Sequence, residues 1–208
     1  MALAADEEFV QSGDVNMQTN GVVVELMHKY WPQCSSGQGA SAATLLDIGC
    51  GTGLIGKMFM QAAERDGFFA SEQARTESVL RGIDFSGDML THVPASLYEE
   101  ALQHDVDVTP WPMYADSVAD ISICNGVFIY LKNAAVLDEF ARTCKPGGKC
   151  VLMFRHDVLP AFEERRDAME TLGKWRLLEK TTTMDNFPGL TADGLEPTLF
   201  NVFVYEVL

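Results

Sequence analysis

Residues 45–53 read Leu45-Leu46-Asp47-Ile48-Gly49-Cys50-Gly51-Thr52-Gly53: an apolar run that ends in an acid, then glycine at every second position. The run predicts a buried strand over 44–48 that enters a turn. Glycine adopts positive φ without penalty and lets a ligand approach the main chain where a Cβ would collide. Three alternating glycines therefore predict a loop shaped around a bound molecule. A carboxylate at Asp47 suits a ligand bearing an ammonium group and suits a pyrophosphate poorly. A glycine-rich turn that holds no ligand is the plain structural alternative.

Working outward, helical spacing is visible over 21–30 in Val22, Val23, Leu26 and Tyr30, and Pro32 stops it. A small-residue linker covers 35–43, the helix behind the first strand 54–63, and a second strand 79–85. Between these two elements, 64–78 is charged and small-residue rich apart from Phe68 and Phe69, and it reads as a surface insertion. Further strands are expected near 98–104, at 119–124 and at 149–154. Asn133 is placed to cap a helix with Val136, Leu137, Phe140, Ala141 and Cys144 on one face, stopped by Lys145-Pro146-Gly147-Gly148. Val158, Phe162, Met169 and Leu172 share a later helical face on which Arg165 must snorkel or pair. Strands at 175–183 and 198–207, separated by a loop over 184–197, close the chain. Alternating strands and helices predict a parallel sheet covered on both faces, and the last two strands, with no helix between them, predict an antiparallel hairpin.

The chain has 208 residues, enough for one domain, taken as 1–208 with a polar, mobile end over 1–16. It is 47% hydrophobic with a mean hydropathy of +0.01, which predicts a soluble protein with no membrane span. Residues 1–8 hold Asp6, Glu7 and Glu8 and lack the pattern of a secretory signal, so a cytoplasmic location is expected. Cys34, Cys50, Cys124, Cys144 and Cys150 form no C-x-x-C pair and read as reduced, mostly buried thiols. Neither they nor His28, His92, His104 and His156 have zinc spacing, and no metal is expected. A formal net charge of -15 repels polyanions and disfavours nucleic acid as a partner.

The glycine stretch resembles motif I of the class I S-adenosylmethionine-dependent methyltransferases, whose turn wraps the amino-acid and ribose parts of the cofactor. A rival lies in the same residues, since Gly51-Thr52-Gly53-Leu54-Ile55-Gly56 also satisfies the G-x-G-x-x-G dinucleotide pattern. Ile83-Asp84-Phe85-Ser86 puts an acid at the end of the second strand, where it can accept both hydroxyls of a ribose in either cofactor. Phe85 follows it, and Met89 resembles a residue that packs near the adenine; a core methionine is the alternative reading of Met89. His104-Asp105-Val106 tells the two apart: an acid here resembles the methyltransferase residue that takes the adenine amino group, with Asp107 close enough to exchange roles with Asp105. Cys124-Asn125-Gly126-Val127-Phe128 continues the resemblance, which implies that Asn125 ends the fourth strand over the position of the transferred methyl. The absence of a Pro-Pro-aromatic sequence there weighs against nucleic-acid bases.

The resemblance covers about residues 44–155 and implies an α/β, Rossmann-like sandwich with a mostly parallel seven-stranded sheet. It is nearest the stand-alone type 11 methyltransferases and, through residues 82–90, Trp111-Pro112 and 201–206, the Williams-Beuren methyltransferase-like group, although the Tyr-Asp leader of that group is missing. S-adenosyl-L-methionine is the implied cofactor, held by Asp47, Gly49, Cys50, Gly51, Gly53, Asp84, Phe85, Met89, Asp105, Val106 and Asn125. Methyl transfer needs alignment first and a general base only for a protonated nucleophile. Asn125 is the candidate for alignment, and His156 and Tyr130, with Asp157, are candidate bases, each with an ordinary structural role as alternative. Trp111, Tyr114, Phe128 and Phe187 are candidate pocket walls, though aromatic residues in such positions are commonly core. A small-molecule acceptor is expected. The alternatives are a protein acceptor, an NAD-dependent oxidoreductase, and an adenosylmethionine-binding module without turnover.

Overall fold

The apolar run at 44–48 is a strand, β1 (Thr44–Ile48), and its alternation divides the molecule into layers: Leu45 packs into one cluster of buried side chains, Leu46 and Ile48 into the other. The computed structural model describes residues 18–35, 37–187, 194 and 196–208, so the end expected over 1–16 lies outside it. After β1 come α2 (Leu54–Arg65), α3 (Glu72–Thr76), β2 (Val79–Asp84), α4 (Gly87–Leu90), β3 (Glu100–Gln103) and β4 (Ala119–Cys124). The chain continues through α5 (Val136–Thr143), β5 (Cys144–Arg155), α6 (Leu159–Thr171), β6 (Trp175–Lys180), β7 (Met184–Asp185) and β8 (Leu199–Val207), and α1 (Gln18–Tyr30) precedes β1.

The sheet runs β3-β2-β1-β4-β5-β8-β6, with β7 paired to β8. Strands β1 to β5 are parallel, while β8 is antiparallel to β5, β6 and β7. The C-terminal hairpin thus forms as expected, with its second strand inserted between β5 and β6. Among the described residues eight strands replace the expected seven, because the loop over 184–197 begins by running back along β8, Met184 opposite Phe200 and Asp185 opposite Leu199. Residues 188–193 and 195 of that loop, including Pro188 and Gly189, lie outside the described residues.

Every central strand is apolar on both faces, as a doubly covered sheet requires. Ile121, Ile123, Val151, Met153, Val202 and Val204 face α1 and α2; Cys124, Leu152, Phe154, Phe203 and Tyr205 face α5 and α6. On the second face Phe128 stacks on Phe154 at 4.0 Å, and Phe162 of α6 meets Phe128 edge-on. Arg165 resolves its conflict by pairing with Asp138 of α5, while Leu172 ends 65% exposed. Helix α5 starts at Val136 rather than at Asn133, whose Oδ1 instead accepts from the Ala135 amide two residues on.

The segment over 64–78 folds back onto the domain. Helix α3 is exposed, but Phe68 packs edge-on against Phe59 and tilts against His28, and Ala40 exchanges main-chain hydrogen bonds with Phe68 and Ala70. The order of strands reverses between β1 and β4. In open α/β sheets the ligand crevice lies at such a switch point, beyond the carboxyl ends of the strands.

Candidate active site

Gly49, Gly51 and Gly53 all have positive φ, at 75°, 54° and 75°. Gly49 and Cys50 both donate to the Ile83 carbonyl, which ties the turn to β2. A Cβ on Gly49 would fall 2.1 Å from Val127 Cγ2, so the residues after β4 close on the turn and no side chain fits there. Asp84 completes the anchoring: one carboxylate oxygen accepts from Gly51 N and the other from Ser86 N, each at 2.8 Å. A carboxylate offers about four lone-pair sites, so two remain for further donors. Beside it Phe85 is 70% exposed, and Met89 Cε lies 3.4 Å from where a Gly51 Cβ would be. Asp84, Phe85, Met89 and the glycine turn are brought together.

Asp47 departs from the expectation of an open, ligand-facing acid. It is 2% exposed, and its Oδ2 accepts a 2.6 Å hydrogen bond from the Tyr98 hydroxyl. Burial pushes its carboxyl up to about 7, helped by the negative charge of Asp84, while the Tyr98 hydrogen bond pulls the other way. Cys50 is also buried, and desolvation pushes its thiol up. Sequence reading missed Tyr98, taking it as the first residue of a strand that in fact begins at Glu100. Its one sequence signal is the rival dinucleotide pattern: a Cβ on Gly56 would lie 2.3 Å from the Tyr98 hydroxyl. The third glycine makes room for a tyrosine of this chain, so the pattern does not require a pyrophosphate.

The two acids after β3 differ in what holds them. Asp107 is bound into the β4–α5 connection, accepting from the Lys132 and Asn133 amides while its carbonyl takes the Asn133 side-chain amide. Asp105 is exposed; its carboxylate accepts from the Asp107 amide and its carbonyl from the Val108 amide. Val106 is 3% exposed, its side chain in the core and its carbonyl accepting from the Trp111 indole, so only its main chain remains for a ligand.

At the end of β4, Asn125 donates its side-chain amide to Asn20 Oδ1 of α1 at 2.8 Å, and its own Oδ1 is buried with no hydrogen-bond partner among the described residues. Nearby in the chain fold, Thr19 of α1 donates through both its main-chain amide and its hydroxyl to Asn186 Oδ1, just after β7. Thr19 and Asn186 are both fully buried. His156 is less free than a general base should be. Its Nε2 lies 2.6 Å from Asn201 Oδ1, whose amide nitrogen already donates to Thr181 O, so the imidazole proton sits on Nε2 and only Nδ1 remains an acceptor. Asp157 is held by both ends of the Arg155 guanidinium. Tyr130 is 75% exposed. Trp111, Tyr114 and Phe128 are core residues, at 0%, 3% and 1% exposure, and not pocket walls; Phe187 is half-buried.

A model of the family described as "Methyltransferase domain" matches residues 46–152, just over half of the chain. The chain belongs to the class I S-adenosylmethionine-dependent methyltransferases. No curated protein matches its sequence. Among solved structures the methyltransferase resembles a TehB-like methyltransferase of Corynebacterium glutamicum, with 16% identity, TM-score 0.59, and coverage of 100% of this chain and 96% of that one. A putative methyltransferase of Haloferax volcanii, solved in complex with its Trm112 activator, has 18% identity and TM-score 0.64 over 99% and 96%. Geranyl diphosphate C-methyltransferase of Streptomyces coelicolor, solved with S-adenosyl-L-homocysteine, has 17% identity and TM-score 0.58 over 90% and 80%. At these identities the likeness establishes the fold, and acceptors do not follow from it. Among the described residues of the methyltransferase no helix is long and apolar enough to cross a membrane, and no group of three or more His, Cys, Asp or Glu side chains could hold a metal ion.

Proposed function

We propose that the methyltransferase holds S-adenosylmethionine at the carboxyl ends of β1, β2 and β3 and methylates a small-molecule acceptor seated at the ends of β4 and β5. The site fits the cofactor part by part. Asp84 keeps two acceptor positions beside an exposed aromatic face at Phe85, the arrangement that suits a ribose next to an adenine. Asp105 lies exposed after β3 for an amino group, and the glycine turn after β1, on the other side of Asp84, keeps its main chain bare of side chains.

When bound, the cofactor supplies an electrophilic methyl on a sulfonium. No residue has to act as an acid, since the departing thioether is neutral, and the chain's contribution is alignment and exclusion of water. Asn125 is the aligning group we assign: Asn20 holds its amide nitrogen, which leaves the buried Oδ1 to accept from an N–H or O–H of the bound molecules. His156, with its proton on Nε2, can take a proton only at Nδ1.

The observation that carries the small-molecule reading is the buried Thr19–Asn186 contact. It joins α1, whose Asn20 holds Asn125, to the segment after β7, so that these two elements bound the end of β4. A crevice bounded in this way suits a compact ligand better than a folded surface. The net charge of -15 supports an acceptor other than nucleic acid. The test is transfer of labelled methyl from S-adenosylmethionine into a cell extract. Label in the low-mass filtrate supports the reading, and label confined to protein overturns it.

A further inference from the structure

Tyr98 belongs to none of the motifs that carry the family resemblance, yet four pieces of the cofactor side converge on it. Its hydroxyl meets Asp47 at the end of β1. Its ring lies 2.9 Å from a Cβ built on Gly53 in the turn and 3.3 Å from one built on Gly82 in β2, and its hydroxyl 2.3 Å from one built on Gly56 in α2. At 5% exposure it fills the space beneath the glycine turn, and three glycines make room for it.

We propose that Tyr98 is a positioning residue for the cofactor site: its hydroxyl holds the Asp47 carboxylate under the glycine turn, so that the charge on Asp47 governs affinity for a cationic ligand there. This rests on the cofactor reading above. Asp47 then acts through its field in a buried, low-dielectric position instead of as an open contact. The titratable groups that face it are Tyr98 itself, Asp84 of β2, Cys50 of the turn, Cys124 of β4 and Tyr114 before β4; none is a cation. Burial pushes Cys50, Cys124, Tyr98 and Tyr114 upward, so they stay neutral near pH 7, whereas burial brings the Asp47 carboxyl to about 7.

The sign follows from linkage. A ligand ammonium favours the carboxylate, so affinity is greatest above the Asp47 midpoint and falls about tenfold per pH unit below it, until the carboxyl is protonated in the complex as well. The Tyr98 hydrogen bond favours the charged form, so its loss moves the midpoint to higher pH.

Calorimetric titration with S-adenosylhomocysteine across neutral pH tests this on the wild type, Tyr98→Phe and Asp47→Asn. We expect a falling affinity on the acid side for the wild type, the same fall displaced to higher pH for Tyr98→Phe, and its loss for Asp47→Asn. A Tyr98→Phe protein weakened equally at every pH has lost only packing, and that result overturns the inference, as does an Asp47→Asn protein that keeps the wild-type profile. If Tyr98→Phe does not fold, the Asp47→Asn comparison decides alone. A wild type that binds at no pH would instead bring down the cofactor reading, and the inference with it.

Discussion

Asn125, the last residue before the turn at the end of β4, donates to Asn20 of α1 across 105 residues of sequence at 2.8 Å. Asn20 lies outside the matched methyltransferase region, so an element before that region decides how this residue of the proposed site is presented. With Asn20 as acceptor, the Asn125 amide nitrogen is turned toward α1 and its buried oxygen is left for a ligand.

Asn20→Ala should release that orientation. Turnover on an identified acceptor should fall by about tenfold or more, as misaligned groups do, with affinity for S-adenosylhomocysteine little changed. Asn125→Ala should cost at least as much turnover. Steady-state kinetics with a parallel calorimetric titration checks both, and wild-type turnover in Asn125→Ala would remove it from the mechanism.

Asp84→Ala should weaken S-adenosylhomocysteine binding by about 1–3 kcal/mol, through lost acceptors for the ligand and through release of the Gly51 amide. Calorimetry measures it directly. Unchanged affinity would take Asp84 out of the site.

Gly56→Ala puts a methyl group 2.3 Å from the Tyr98 hydroxyl and 3.0 Å from Leu80 Cδ2. The gain in helix propensity, about 1 kcal/mol, is smaller than the cost of overpacking a rigid neighbour, about 1–3 kcal/mol, so a net loss of stability is expected. Tyr98→Phe in the same chain should recover part of it, because the hydroxyl is the nearest atom. Urea denaturation of the single and double variants tests this; a stabilised Gly56→Ala would show that the packing around Tyr98 yields freely.

Glu139 should carry a pH-dependent share of stability. Burial works against its charge, but the Arg142 guanidinium and the Trp111 amide more than offset this and hold its carboxyl below the ordinary value of 4.5. A depressed folded pKa contributes stability that is present above the unfolded value and lost as the pH falls through the folded one. Glu139→Gln should therefore be less stable than the wild type by about 1–3 kcal/mol at neutral pH, with the gap closing below about pH 4. Thermal melts at both pH values measure it, and a gap that persists unchanged in acid would show that the ion pair is not its source.

Local pattern was enough for much of the architecture. The bounds of β1 and β4, the cover on both sheet faces and the antiparallel ending were legible because strand alternation and the lack of a helix between the last strands are constraints each segment carries alone, while the family was legible through motif resemblance. Contacts between distant segments were not legible. Asp47 and Tyr98 are 51 residues apart and Asn20 and Asn125 are 105 apart, and no periodicity in the chain relates them. The motif named Asp47 as a ligand acid, yet the tertiary structure buries it, because the β2–β3 connection folds a tyrosine under the turn. Likewise Asp105 and Asp107 are indistinguishable in sequence, and only the approach of Lys132 and Asn133 claims the second of them. The sequence by itself determined which loop carries the family's motif; the tertiary structure decided which side chains around that loop are left open and which hold the loop in place, since that depends on what lies behind each one in the packed core.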